Sequence, residues 1–195
     1  MNLDLLVGSG GVLSHAPRRN QSAMMMLDAF RPEGITILAV DSIFMMPHLG
    51  VLSEVHPQAA TEVFVKDCLI FLGTAVAPVG QVKAGKPVMK YRIDFPGGTE
   101  EGTLMQGEMR LFELGLGQKA PAVFEPVGKV DIGEGRGQKV EKELDGGVVG
   151  VILDGRGRPL MTVPDDKTER INQMVDWLEN LKVYNSEALR ALGRN

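Results

Sequence analysis

Hydrophobic positions along the chain change period twice, and each change marks a different kind of element. Leu3-Asp4-Leu5-Leu6-Val7 predicts a strand that stops abruptly at Gly8-Ser9-Gly10-Gly11. Helical spacing follows over 22–30, where Met25, Met26 and Ala29 share one face and Asp28 lies off it. Residues 35–40 are rich in β-branched side chains and predict a second strand, ended by Asp41. Pro47 and Pro57 each suit the first turn of a helix, which predicts helices through Glu54 and through Asp67. Ala59, Ala60, Val63 and Phe64 give the second of these its apolar face.

From Gly80 the period becomes two. Lys90-Tyr91-Arg92-Ile93-Asp94-Phe95 alternates cleanly and 108–113 less so, with Pro96-Gly97-Gly98 as a turn between them. Strands are also predicted at 127–133 and 148–153. The second is continuously apolar and should therefore be central, covered on both faces, before a tight turn at Asp154-Gly155. This spacing predicts a small β-sandwich or barrel-like module. The tail returns to helical spacing. Asp165 and Asp166 follow Pro164 as N-cap residues, and Glu169 stands three positions after Asp166 in the manner of a capping box. Ile171, Met174, Val175, Leu178 and Leu181 form the stripe. A break at 183–186 then leaves Ser186 to cap a last helix through Leu192. The division reads as 1–80, 81–163 and 164–195, in the α+β class.

Bulk properties exclude several functions. The 195 residues, 44% hydrophobic and 24% charged, are enough for one large or two small folded domains. A net charge of −4 leaves no basic surplus for a nucleic-acid backbone, so no nucleic-acid partner is expected. Arg18-Arg19 and the pair Arg156 and Arg158 read as solvated loops. The single cysteine, Cys68, lies in an apolar run and reads as a buried thiol with no intramolecular disulfide. With neither a basic leader nor an apolar run near ~20 residues, the chain reads as soluble and cytoplasmic, with no membrane partner. His15, His48 and His56 with Asp41 match no metal-ligand spacing. Ser9 and Ser14 beside His15 lack the nucleophile elbow of a hydrolase. Glu100-Glu101 reads as a solvated turn, and the Met24-Met25-Met26 and Met45-Met46 runs as core filler, with an adaptable binding surface as the alternative.

The stretch richest in chemistry is the loop after the first strand. Three glycines in four positions let the backbone take unusual conformations and let a ligand approach the chain closely. The loop is not a phosphate-binding Walker A loop, because no Gly-Lys-Ser/Thr follows at the required spacing. It matches a dinucleotide fingerprint only loosely, since Leu13 stands where the third glycine belongs. With Ala16-Pro17 downstream, it resembles the adenosine motif of the actin, sugar-kinase and heat-shock-protein-70 superfamily. Asp28-Ala29-Phe30-Arg31-Pro32-Glu33-Gly34, Val40-Asp41, Pro47-His48-Leu49-Gly50, Pro57-Gln58-Ala59-Ala60 and Leu72-Gly73-Thr74-Ala75-Val76-Ala77-Pro78-Val79-Gly80 follow in order. Together with Gly146-Gly147-Val148-Val149-Gly150, Asp154-Gly155-Arg156-Gly157-Arg158-Pro159 and the Trp177 helix, they resemble the glutamate mutase L family.

That resemblance implies part of an ATP-dependent chaperone or reactivating factor for an adenosylcobalamin-dependent mutase. It implies an incomplete actin-like (ribonuclease H-like) half, with Gly8, Ser9, Gly10 and Gly11 on the adenosine or α-phosphate side and Asp41 and Thr74 as further candidates. ATP or ADP with Mg would bind weakly, or only with a partner chain. The two Asp-x-Gly-x-Thr phosphate loops of the superfamily do not occur, so the chain alone is expected to hydrolyse no ATP. It reads as a truncated piece or a split-gene subunit with an N-terminal ATPase partner, in a homo-oligomer or hetero-complex that covers its sheet edges. The alternatives are an interaction subunit in which the glycine loop is only a tight turn, and a small standalone enzyme.

Overall fold

Two sheets packed face to face organise the chain in the computed structural model, which describes residues 3–159, 161 and 163–191. The first is mixed and contains β1 (Leu5–Gly8), β2 (Gly34–Asp41), β3 (Leu69–Ala77), β9 (Val151–Asp154) and β6 (Met109–Phe112), in that spatial order. β1 pairs parallel with β2 and β3 with β9, whereas β2–β3 and β9–β6 are antiparallel. The second is antiparallel throughout, in the order β5 (Gly98–Met105), β4 (Pro87–Phe95), β7 (Lys119–Pro126), β8 (Val140–Asp145). The class is α+β, as expected. No helix among the described residues is long and apolar enough to cross a membrane.

Side-chain alternation explains the layering. In β4, Met89, Tyr91 and Ile93 point inward while Lys90, Arg92 and Asp94 face solvent. Those inner residues meet Val76, Val151 and Leu153 of the first sheet, each burial being worth ~1.5–3 kcal/mol. The other face of the first sheet packs Leu38, Leu72 and Ile152 against α2 (Arg19–Phe30) and α5 (Lys167–Asn180). β9 is thus buried on both faces, which is why Val151, Ile152 and Leu153 before Asp154 are all apolar. Thr74, in the middle of β3, pins the sheets together: its hydroxyl donates to Asp145 O at 2.7 Å and accepts from Asp145 N at 3.1 Å.

Several elements differ from the sequence reading. β6 and β9 belong to the sheet begun by β1 to β3, so a boundary at residue 80 separates no sheets, and the sandwich forms between the two sheets. Residues 127–133 are not a strand. Asp131 Oδ1 accepts from Gly133 N at 2.7 Å and Gly135 N at 3.0 Å, and this side-chain bonding holds a loop in place of a ladder. Glu100 and Glu101 lie within β5, not in a turn. Helix α2 starts at Arg19 and buries Ala23, Met24, Met26 and Leu27, leaving Ala29 exposed. Its face is rotated because Arg19 Nη1 reaches Ser14 O (2.9 Å) and Ser22 Oγ reaches Leu13 O (2.8 Å). In α5 the Asp166 cap forms as expected, accepting from Glu169 N at 2.9 Å. Its buried face, however, holds Val175, Trp177 and the following Leu181, with Ile171 and Met174 exposed. For α6 (Ser186–Ala191) the cap is Asn185, whose Oδ1 accepts from Ala188 N at 2.9 Å, not Ser186. The expected end at Leu192 lies outside the described residues.

The largest departure concerns Arg156 and Arg158, which are 0% and 1% exposed rather than solvated. Asp154, also fully buried, accepts from Arg156 Nε at 2.9 Å, Arg156 Nη2 at 3.0 Å and Arg158 Nη2 at 2.5 Å. Arg156 Nη1 adds Asp28 Oδ1 at 2.6 Å, and its guanidinium lies 5.2 Å from the Trp177 ring centroid. Arg158 Nε donates to Pro32 O at 3.1 Å. The knot therefore joins α2, the turn into β2, β9 and α5. Burial alone pushes the Asp154 carboxyl up, but the Arg156 and Arg158 guanidiniums outweigh it and hold the group below the usual carboxylate range.

Candidate functional site

Parallel pairing of β1 with β2 brings their carboxyl ends to one edge, with Gly8 opposite Val40. In open α/β sheets ligands are received at the carboxyl ends of parallel strands, and β1 and β2 form such a parallel pair at the edge of this mixed sheet. The glycine loop divides into two parts there. Gly8 is buried, and a Cβ on it would sit 2.6 Å from Leu13 Cδ1 and 3.1 Å from Met26 Sδ, so its task is packing. Ser9 and Gly11 are exposed, and Gly10 (φ 121°) has open space where a side chain would stand. That backbone angle is one glycine takes readily and other residues rarely. The segment then enters α1 (Gly11–Ser14), which is fastened to the next strand end by Ser14 Oγ donating to Asp41 O at 2.6 Å.

The facing wall is residues 42–46. Asp41 is fully buried, and its carboxylate accepts from Ile43 N (3.4 Å), Met45 N (3.3 Å) and Met46 N (3.1 Å). It turns the chain from β2 into α3 (Met46–Ser53). Within that turn Phe44 holds a left-handed backbone (φ 57°), a conformation that costs a non-glycine residue about 1 kcal/mol or more. Its partly exposed ring stacks on His15 with centroids 6.1 Å apart and planes at 26°. His15 Nδ1 lies 3.3 Å from Gly11 O, at the end of α1. Gly11 and Phe44 are also neighbours: a Cβ at Gly11 would be 3.9 Å from Phe44 Cζ.

The arrangement is therefore an open strip of backbone at Ser9–Gly11 with one stacked pair of aromatic rings beside Gly11. Chemically it offers stacking surface and close main-chain approach for a flat ligand. Of the residues singled out in the sequence, Gly8, Ser9, Gly10, Gly11 and Asp41 come together here. Asp41 does so as a structural anchor whose carboxylate is engaged by backbone N–H groups. Thr74 lies within β3 on the sandwich side and faces no cleft. His48 is exposed on α3, and His56 stands at the start of α4 (Pro57–Val63), so the three histidines sit on separate elements. Phe44 was missed because a lone aromatic after Asp-Ser-Ile carries no periodic signal; only its backbone angle marks it. Cys68 closes a π-helical turn (Phe64–Cys68) behind this edge. Burial, then the neighbouring Asp41 and Asp67 charges, push its thiol up.

Comparison with known families places this edge in context. The family model of MutL protein, the glutamate mutase L family, matches residues 1–68 and so covers the glycine loop, β2 and the helices that follow. It bears out the family resemblance over that stretch. No curated protein and no solved structure matches the chain.

Proposed function

We propose that this chain, of glutamate mutase L type over residues 1–68, is part of a nucleotide-dependent chaperone that reactivates an adenosylcobalamin-dependent mutase such as glutamate mutase. The observation that carries the reading is the open Ser9–Gly11 backbone at the shared carboxyl ends of β1 and β2, inside the matched stretch. Gly10 and Gly11 fit a close approach of adenosine to the main chain, and the stacked His15–Phe44 pair beside Gly11 offers an outer ring face to a purine. Bound ATP would supply the free energy of phosphoryl transfer that drives such a factor between states.

Asp41 and Thr74 do not fit a direct role. Their polar atoms already bond within the protein, so each acts by holding the frame: Asp41 sets the wall that carries Phe44, and Thr74 locks the two sheets. Among the described residues no group of three or more His, Cys, Asp or Glu side chains could hold a metal ion. Since the two Asp-x-Gly-x-Thr loops do not occur in the sequence, the groups that hold Mg and the outer phosphates are proposed to come from a partner ATPase chain, and no hydrolytic step is assigned to this one.

A second reading draws on Gly8 and Gly10. Core packing favours glycine at the first and backbone angle at the second, with no ligand needed, which is what an interaction subunit with a tight turn would show. Reconstitution separates the two. With the partner chain added, ATPase activity should appear and should fall at least about tenfold in Gly11→Asp, a loss of ~1.4 kcal/mol. That change leaves the fold intact, since Gly11 has room for a side chain and an acidic residue suits a helix start. Activity untouched by Gly11→Asp would leave the loop a purely structural turn.

A further inference from the structure

The segment between β2 and β3 is short of core and rich in exposed apolar surface. α3 and α4 form a hairpin whose own buried residues are only Leu49, Ala60 and Cys68, supported by the half-buried Met45 and Phe64. Helices this short are not stable by themselves and depend on packing. Yet Val51 and Val55 are 74% and 71% exposed, and Met46, Leu52, Val63 and Val65 are also open to solvent. Between the helices runs an apolar groove of about 200 Å³ lined by Met46, Leu49, Gly50, Ala60 and Phe64, with Ser53 and Thr61 at its side.

We propose that this hairpin is the interface between two copies of the chain, related by a two-fold axis beside α3. This is independent of the nucleotide reading. Three features select a second copy. The exposed apolar residues present on the order of 500 Å². A standard homodimer interface covers ~800 Å² per partner, about 65% of it apolar, so that amount is what one partner must contribute. α3 (MPHLGVLS) carries no Asp, Glu, Lys or Arg of its own, so a two-fold axis that crosses it antiparallel at its middle keeps the exposed Glu54 at its end apart from its copy. Protruding Val51 and Leu52 and the receiving groove occur on the same hairpin, as an isologous contact requires.

Light scattering on the chain at about 100 μM should give 42.2 kDa, twice the 21.1 kDa chain. Val51→Glu with Val55→Glu should return it to 21.1 kDa with an unchanged circular dichroism spectrum, since both positions are largely exposed in the single chain. A separate variant, Val51→Cys, adds a reactive thiol to a chain whose own Cys68 is buried. A bifunctional maleimide should then link two chains, while Gly97→Cys on the distant β4–β5 turn should stay unlinked. A monomer at this concentration, a dimer indifferent to the two glutamates, or equal cross-linking at both positions would each overturn the proposal. So would a monomer whose hairpin becomes protected only when a mutase is added, which would assign the surface to a different partner.

Discussion

Replacing Asp154 by Asn keeps its shape and removes the one charge that two buried guanidiniums share. In the wild-type chain the carboxylate accepts three side-chain bonds from Arg156 and Arg158 between 2.5 and 3.0 Å, and a fourth from Arg156 N at 3.1 Å. Breaking a buried ion pair from one side costs roughly 3–5 kcal/mol, because the other charge stays desolvated. Arg156 keeps Asp28, and Arg158 keeps Pro32 O and Gly157 O, so the lower end of that range, about 3 kcal/mol, is the expectation. Asp28→Asn is the control: its carboxylate is 44% exposed, and its loss should cost about 1 kcal/mol or less. Urea unfolding followed by the fluorescence of Trp177, the single tryptophan, reports directly from the knot. With a slope of about 2 kcal/mol per molar, the midpoint should fall by about 1.5 M. A loss below about 1 kcal/mol, or an equal loss in Asp28→Asn, would refute the reasoning. The pH dependence follows from the direction of the shift. Asp154 is held below its unfolded value of ~3.9, so its contribution is complete above that pH and is lost as pH falls toward the folded value. The gap between wild type and variant should therefore stay constant from neutral pH to about 5 and narrow below about 4.

Three further outcomes follow from local geometry. Gly73→Ala should destabilise by about 3 kcal/mol or more, since a Cβ there would lie 1.9 Å from Gly150 O at φ 130°; Gly97→Ala, with open space around it, should fall within about 0.5 kcal/mol of wild type in the same thermal melt. Trp177→Phe should cost about 1–2 kcal/mol by circular dichroism, through loss of the Nε1 bond to Gly107 O at 2.6 Å and a weaker contact with Arg156. Cys68 should resist a thiol reagent at pH 8 in the native chain and react fully in denaturant, because burial and nearby acidic groups keep the thiol protonated; rapid native labelling would show that the hairpin base is open.

What the sequence makes legible is set by periodicity. β4 alternates and β9 is apolar up to Asp154, and both positions follow directly from those patterns. The Asp166 cap is a local bond between residues three apart, so it too is readable. Faces of helices were harder. In α2 apolar residues lie all round the helix and in α5 they form a broad stripe, so the buried side is chosen by distant partners such as Leu13 and Gly107. β7 contains Pro121, which lacks a ladder donor and hides the strand; it is tolerated because Pro121 pairs only with β8, beyond the stretch that meets β4. Arg156 and Arg158 read as solvated because nothing near them in sequence announces Asp28, Pro32 or Trp177. At the candidate site the glycines were visible as a run. The separate tasks of Gly8, which packs, and Gly10, which opens, appear only in three dimensions.

The most direct test of the nucleotide reading is a nuclear magnetic resonance titration of the isotope-labelled chain with ADP up to about 5 mM, a range that detects binding as weak as ~1 mM, or about −4 kcal/mol. Saturable shifts should appear, confined to Ser9–Gly11, His15 and Phe44, and should be abolished in Gly11→Asp while the rest of the spectrum is kept. Shifts elsewhere on the molecule, shifts that survive Gly11→Asp, or none at all at that concentration would contradict that reading.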